Sequence, residues 1–301
     1  MLIFYCVGVY AQRKEVSYFS DSVEICPLAD KELIDSCYNL LDRNMMLETD
    51  GIYGQIAVID ATTSEVLAWA SLEKQLDGDC GWCGDMVYVP FKKQVCSTDI
   101  FVPFIAAKCL EKSNTSLGKM VDTECGILEV NDSLKIRDHN WRRGGYGKVT
   151  FEKALLMKSR IGMYKAFMTM PNGANLWEQA YDTIQKSNAI ELAISFNQMY
   201  HKRSSLEYVK KIATGFFEKT GIQHRLAPRG IKLAGIYNIL QCDDNKRSSD
   251  EFTFVGCFPA DNPKYTIGMV VVRPHKLPVT IGMLSKEVNQ LIEWLLIHRK
   301  N

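Results

Sequence analysis

Strand-forming segments lie near both ends of this chain, and mostly helical sequence separates them. Runs rich in β-branched and apolar residues occupy positions 52–59, 65–72, 231–240, 252–258 and 265–272. Polar turn clusters separate neighbouring runs, so each set can pair as antiparallel hairpins. Parallel pairing would need crossover helices between successive strands, which these short connections lack. The order therefore predicts an α+β fold with one five-stranded antiparallel sheet built from both ends of the chain.

Helical periodicity marks most of the remaining sequence. Within 29–48, Leu33, Cys37, Leu40 and Leu41 recur at the spacing of one helix face after an acidic start. Further helices are predicted at 101–111, 150–170, 189–200, 206–217 and 284–297. Residues 73–96, rich in Gly, Asp and Cys, are predicted to form an irregular surface excursion. Termini that share one sheet predict a single domain, which we place at 12–301.

Charge and hydropathy exclude two classes of partner. The net charge is +1 and basic residues are scattered, so there is no electrostatic basis for binding nucleic acid or an anionic membrane. No later segment approaches the ~20 apolar residues of a transmembrane span. Residues 1–11, MLIFYCVGVYA, resemble the apolar core and cleavage site of an export signal, although a basic start is missing. A buried first strand or a start codon placed too far downstream are the alternatives.

The ten cysteines give no strong case for a metal or redox site. Cys80 and Cys83 have CxxC spacing, but no second CxxC or paired His follows at zinc spacing. They are predicted to be loop cysteines, with one local disulfide as an option. Cys37, Cys109 and Cys257 lie among apolar residues and are predicted to be buried. We therefore expect neither a metal nor a cofactor.

Three segments resemble the transpeptidase domain of penicillin-binding proteins. Residues 54–73, GQIAVIDATTSEVLAWASLE, resemble its opening hairpin, and 252–274, FTFVGCFPADNPKYTIGMVVVRP, its last two strands. Between them, 138–167 resembles the segment that leads to the family's second motif. The resemblance runs from about residue 24 to the C-terminus. It implies helices on both faces of the sheet, a periplasmic location, and peptidoglycan peptide or a cell-envelope protein as partner.

The resemblance also implies a reaction, acyl transfer, that depends on three motifs. In the family, a serine of Ser-x-x-Lys attacks a D-alanyl-D-alanine carbonyl or a β-lactam, and the lysine one helical turn later takes its proton. A Ser-x-Asn motif relays protons and binds the substrate amide. A Lys-Thr/Ser-Gly motif on an edge strand lines the site beside the oxyanion hole.

The first motif is altered in this chain. Phe101, Pro103 and Phe104 fit the family's flanking residues, which places Asp99 at the serine position and Val102 at the lysine position. A carboxylate without a neighbouring amine has no base to run both half-reactions. Sliding the alignment so that Ser97 is the nucleophile does not help, because Ile100 then takes the lysine position.

The second and third motifs are altered as well. Lys158 and Arg160 take the positions of the serine and asparagine in the second motif. The letters Lys219-Thr220-Gly221 match the third motif, but the alignment places them upstream of the active-site strand. The strand itself carries Ile236, Tyr237 and Asn238 at the motif positions, bracketed by Ala234-Gly235 and Gln241.

The family's cluster of catalytic side chains implies that Asp99 and Lys158 share one cavity. We predict a partly buried ion pair between them, which Arg160 can join, because each charge would otherwise be buried alone. Ser97 and Ser159 are weak nucleophile candidates without a convincing base. His139 is interpreted as a turn residue hydrogen-bonded to backbone.

The leading hypothesis is a catalytically inactive homologue that acts by binding or as a structural partner in the bacterial cell envelope. The alternative is an active serine transpeptidase or carboxypeptidase, which requires a different alignment at Asp99 and Ile236. A third hypothesis, a thiol protein that uses Cys80 and Cys83, requires a lowered cysteine pKa and a thioredoxin-like fold.

Overall fold

The computed structural model describes residues 30–43, 51–75, 86–88, 96–132, 134–181, 186–201, 207–219, 221–244, 247–275 and 281–298. The chain divides into two compact units. The first, here called the sheet unit, comprises Met1–Ser97, Lys186–Lys202 and Leu226–Asn301. The second, the helical unit, comprises Thr98–Gln185 and Arg203–Arg225. The predicted signal remnant at 1–11 lies outside the described residues, and the single domain at 12–301 stays a prediction.

One antiparallel sheet organises the sheet unit. Its strands are β1 (Tyr53–Asp60), β2 (Val66–Lys74), β3 (Met86–Tyr88), β10 (Ala234–Asp244), β11 (Arg247–Phe258) and β12 (Tyr265–Pro274), in the order β10-β11-β12-β1-β2-β3. β1 pairs with β12, Tyr53 opposite Val272, so the two ends of the chain meet at the sheet centre. This confirms the α+β fold and the five-stranded antiparallel sheet. The three-residue β3 adds a short sixth strand.

Two details of the strands differ from the sequence prediction. The segment 73–96 is not irregular throughout, because β3 pairs with β2 and β4 (Cys96–Ser97) pairs with β9 (Lys186–Ser187). β10 and β11 also extend through the polar cluster that was predicted to be a turn, as far as Asp244 opposite Arg247. Backbone hydrogen bonds continue a ladder wherever strands stay aligned, whereas alternating hydrophobicity marks only the part that faces a core.

Helices α1 (Lys31–Arg43), α6 (Ala189–His201) and α8 (Ile281–His298) belong to the sheet unit. Leu33, Cys37, Leu40 and Leu41 are buried on α1, as its periodicity predicts. α1 and α8 contact each other, and α6 packs against β1 and β12. Nearly every residue of β1 is buried, as expected for a strand covered on both faces.

Buried polar contacts fix α6 against the sheet. The side-chain oxygen of Gln55 accepts a hydrogen bond from Ala189 N at 3.1 Å, where α6 begins. Asn197 donates to the carbonyl of Ala61 at 2.9 Å and accepts from the hydroxyl of Thr266 at 2.9 Å. Because each of these polar groups has a hydrogen-bond partner, burying them costs little free energy.

The helical unit contains α2 (Val102–Lys112), α3 (Phe151–Leu156), α4 (Arg160–Phe167), α5 (Gly173–Tyr181) and α7 (Glu207–Gly215). Two small ladders accompany them, β5 (Met120–Asp122) with β8 (Lys148–Thr150), and β6 (Ile127–Glu129) with β7 (Lys135–Arg137). α2 packs against α4 and α7. Among the described residues, no helix combines the length and apolar character that crossing a membrane requires.

The prediction of a single helix at 150–170 is wrong, because the helix is interrupted between α3 and α4. Lys158 adopts a left-handed backbone with φ of 54°. Ser159 then caps α4 by accepting a hydrogen bond from Gly162 N at 3.0 Å. The sequence pattern does not reveal this interruption, because buried apolar residues continue at helical spacing on both sides of it.

Candidate functional site

The first-motif positions lie where α2 begins. Asp99 belongs to a single 3₁₀ turn, Thr98–Phe101, and is partly buried. Val102 is the first residue of α2 and is 1% exposed. Pro103 follows within the first turn, where its missing N–H costs nothing. Helix α2 thus begins here as the resemblance implies. The Asp99 carboxylate precedes it, and the apolar Val102 takes the position aligned with the motif lysine.

Lys158 occupies the break between α3 and α4. Burial lowers the pKa of its ammonium group to about 8, and the carboxylate of Asp99 acts in the opposite direction. The two charges therefore lie within electrostatic reach of each other. A direct hydrogen-bonded pair between them stays a prediction.

Arg160 is directed towards Tyr181 on α5. Its guanidinium lies 5.0 Å from the centre of the Tyr181 ring, a cation–π contact. Burial raises the pKa of Tyr181, and Arg160 opposes that effect. The Asp99 carboxylate also acts on Tyr181. Tyr181 thus joins the group formed by Asp99, Lys158 and Arg160, although no motif in the sequence marked it.

Ser159 has a structural role that accounts for its hydroxyl. It is 0% exposed, and its Oγ donates to Asp138 Oδ2 at 2.8 Å while accepting from Gly162 N. Asp138 Oδ1 accepts from Ile161 N at 3.1 Å, so this carboxylate holds the start of α4 in two ways. A buried serine with both functions occupied is a poor nucleophile for an external substrate. Ser97, the other candidate, belongs to the two-residue β4.

The third-motif positions belong to the sheet unit, on the edge strand β10. Ile236 and Tyr237 are fully buried and Asn238 is 7% exposed. The Tyr237 ring packs 4.4 Å from that of Phe254 on β11, and burial raises the pKa of its hydroxyl. On the predicted alignment, these two large buried side chains take the positions of the motif's lysine and small hydroxyl residue.

Two residues of the Lys219-Thr220-Gly221 triplet are described, and neither lies on a strand. Lys219 and Gly221 follow α7 in a turn, and Thr220 lies outside the described residues. A Cβ on Gly221 would lie 2.2 Å from the carbonyl oxygen of Gly215, so close chain packing explains this glycine. Ile236 lies on β10, and its assignment to the third-motif position stays a prediction.

The predictions for the remaining residues have mixed outcomes. Cys37, Cys109 and Cys257 are buried as predicted, and burial raises the pKa of Cys109 to about 11. Cys80 and Cys83 lie outside the described residues. His139 does not bond to backbone as interpreted; its Nε2 lies 2.8 Å from the hydroxyl of Tyr146. Within the part of the chain that the structure describes, no group of three His, Cys, Asp or Glu side chains is placed to hold a metal.

Replacing Asp99 with asparagine is expected to lower the pKa of Lys158 further below about 8. The carboxylate favours the ammonium form, so its removal leaves burial unopposed. Titration of ¹⁵N-labelled lysine side chains by NMR measures this pKa directly. Asp132→Asn, at an exposed site, is the control and should leave it unchanged. An unchanged pKa in Asp99→Asn would contradict the electrostatic link between the two residues.

Solved structures supply the comparison for this geometry. The transpeptidase domain of penicillin-binding protein 3 from Burkholderia pseudomallei superposes with a TM-score of 0.67 and 17% sequence identity, over 90% of this chain and 96% of that one. A peptidoglycan glycosyltransferase from Burkholderia ambifaria gives a TM-score of 0.66 at 17% identity, over 89% and 97%. No protein-family model and no curated protein sequence matches the chain. The resemblance seen in the sequence is thereby confirmed at the level of structure: the chain has the transpeptidase fold of penicillin-binding proteins.

Proposed function

We propose that this protein is a catalytically inactive homologue of penicillin-binding transpeptidases that binds peptidoglycan peptide in the bacterial cell envelope. The observation that carries the proposal is the pair of charges, Asp99 and Lys158, at the positions of the two motif serines. Serine acylation needs a hydroxyl with an amine one helical turn away. Here the corresponding positions offer a carboxylate and the buried Val102.

The charges that replace the catalytic groups also suit a stable, non-reacting centre. Arg160 and Tyr181 are joined by a cation–π contact, and the Asp99 carboxylate acts electrostatically on both Lys158 and Tyr181. Such a network costs desolvation energy but fixes side-chain positions. We infer that the former reaction centre now serves structure, and that any surviving peptide binding is non-covalent.

The alternative function is an active D,D-transpeptidase or carboxypeptidase that forms a serine acyl-enzyme. It requires Ser97 or Ser159 as nucleophile. Ser159 is fully buried and its hydroxyl is used by Asp138 and Gly162. Ile236 and Tyr237 on β10 supply neither the ammonium nor the hydroxyl that the third motif contributes. These observations favour the inactive reading.

Co-sedimentation with purified peptidoglycan sacculi tests the binding role. We expect the full chain to enter the pellet in a saturable manner, to be displaced by soluble muropeptides, and to behave identically after incubation with a penicillin. An unrelated protein of similar size and charge provides the baseline. Recovery at that baseline would contradict the proposed binding function, whereas covalent modification by penicillin that abolishes sedimentation would contradict the proposed loss of catalysis.

A further inference from the structure

A cleft lined mainly by polar and charged residues lies within the helical unit, and none of the motif-equivalent positions lines it. It encloses about 520 Å³, within the range of small-molecule sites. Its lining consists of His139, Asn140, Arg142, Arg143, Tyr146 and Met157. Five of these six residues come from the loop between β7 and β8, so one short segment supplies nearly all of its chemistry.

Two unpaired guanidinium groups dominate the charge of this cleft. Across the described residues, no carboxylate lies within 4 Å of Arg142 or Arg143. The one acid in the loop, Asp138, is 1% exposed and engaged by Ser159 and Ile161. The Arg142 guanidinium lies 5.3 Å from the centre of the Trp141 ring, which orients it. The cleft therefore presents two cations without a counter-charge.

Uncharged polar groups in the cleft restrict which anions fit beside the two arginines. Asn140 Oδ1 is buried and has no hydrogen-bond partner among the described residues. A buried acceptor of this kind is costly unless a donor reaches it. Burial lowers the pKa of His139; Lys158 also lowers it, and the Asp138 carboxylate acts in the opposite direction. A ligand that fits must bring an anion to the arginines and an N–H to Asn140.

The loop that carries these groups is held in a defined shape. Gly144 and Gly145 have φ of 90° and 68°, a left-handed conformation that favours glycine. A Cβ on Gly145 would lie 2.2 Å from the backbone nitrogen of Gly126, so the two chain segments touch. The amide of Thr123 donates to the carbonyl of Gly147 at 2.8 Å and ties the loop to its neighbour. The cleft is thus preformed, which limits the entropy cost of binding.

We propose that this cleft binds the carboxylate end of a peptide or N-acylated amino acid. The carboxylate lies between Arg142 and Arg143, where guanidinium groups can pair with its two oxygens. The amide N–H next to the carboxylate-bearing carbon donates to Asn140 Oδ1. Inorganic phosphate satisfies the charge but brings no N–H at this place. The site is distinct from the motif-equivalent positions and does not rest on the proposed loss of catalysis.

Isothermal titration calorimetry of the full chain with N-acetyl-alanyl-alanine, in its L,L and D,D forms, tests the proposal. We expect saturable binding of at least one form. The double variant Arg142→Gln/Arg143→Gln should weaken it at least about 10-fold, because each charged hydrogen bond contributes strongly. The C-terminal amide of the same dipeptide, which lacks the anion, should be similarly weakened. Asn140→Ala should weaken the dipeptide but leave phosphate binding unchanged.

Arg137→Gln is the matched control. Arg137 is exposed at the end of β7 and lies 5.4 Å from the Trp141 ring, but does not line the cleft. Its replacement should change the affinity less than about twofold, since the charge of an exposed side chain outside the cleft is screened. Equal weakening by Arg137→Gln, unchanged binding by the double variant, or phosphate binding as tight as the dipeptide would each overturn the proposal. Dipeptide binding that persists while sacculus binding fails would contradict the proposed function and leave this site intact.

Discussion

Replacing Asp138 with alanine is expected to lower the free energy of unfolding by about 2–4 kcal/mol. The carboxylate accepts hydrogen bonds from Ser159 Oγ and Ile161 N, and all three residues are buried. Its removal leaves two buried donors unsatisfied and weakens the start of α4. Each such loss typically costs about 1–3 kcal/mol, and the two are coupled through one side chain. Urea denaturation followed by circular dichroism measures the change.

The controls for this prediction separate charge from hydrogen bonding. Asp132→Ala removes an exposed carboxylate from the same unit and should change stability by no more than about 0.5 kcal/mol. Asp138→Asn keeps one acceptor oxygen and should give an intermediate loss. If Asp138→Ala unfolds at the same urea concentration as Asp132→Ala, the anchoring role of Asp138 is wrong.

Replacing Gly268 with alanine is expected to destabilise the sheet unit by about 2–4 kcal/mol. Gly268 lies on β12 opposite Ala57, and a Cβ there would come 2.1 Å from the carbonyl oxygen of Ala189. That oxygen belongs to the backbone at the start of α6, so it cannot rotate away. The helix must instead shift from the sheet, which also strains the hydrogen bond between Gln55 and Ala189. Thermal and urea unfolding of the variant measure the loss.

Gly118→Ala is the matched control for the glycine prediction. The nearest atom to its added Cβ would be Ser116 Oγ at 3.5 Å, an ordinary contact. Its backbone does not need a left-handed conformation, so the change should be small, within about 1 kcal/mol in either direction. Equal stability of Gly268→Ala and Gly118→Ala would show that α6 does not rest on β12 as closely as described.

Periodicity predicted the elements that face a core and failed where polar or irregular backbone intervened. The spacing of Leu33, Cys37 and Leu40 located α1, and runs rich in β-branched and apolar residues located the five long strands. The sequence did not predict the helix break at Lys158, because apolar residues continue at helical spacing on both sides of it. The sequence did not predict the polar extension of β10 and β11, because its side chains show no pattern typical of a strand.

Some positions of the candidate site could be predicted from their flanking residues, whereas its contacts between distant residues are seen only in the structure. The residues around Asp99 and Lys158 fitted the family's order, so their positions were predictable by resemblance. The hydrogen bond between Asp138 and Ser159 joins residues 21 positions apart, and the cation–π contact between Arg160 and Tyr181 depends on how α5 packs. The loop cations at Arg142 and Arg143 were visible in the sequence, but only the structure shows that they line a cleft without a paired acid.

Intact-protein mass spectrometry after incubation with a penicillin tests the central claim most directly. Our account predicts an unmodified mass after hours of exposure, under conditions that fully acylate an active transpeptidase run in parallel. The proposed alignment places Asp99, Val102, Lys158 and Arg160 at the motif positions, where they supply neither the nucleophilic hydroxyl nor the neighbouring amine. A mass increase of one penicillin that disappears in Ser97→Ala or Ser159→Ala would contradict the account and establish a serine acyl-enzyme.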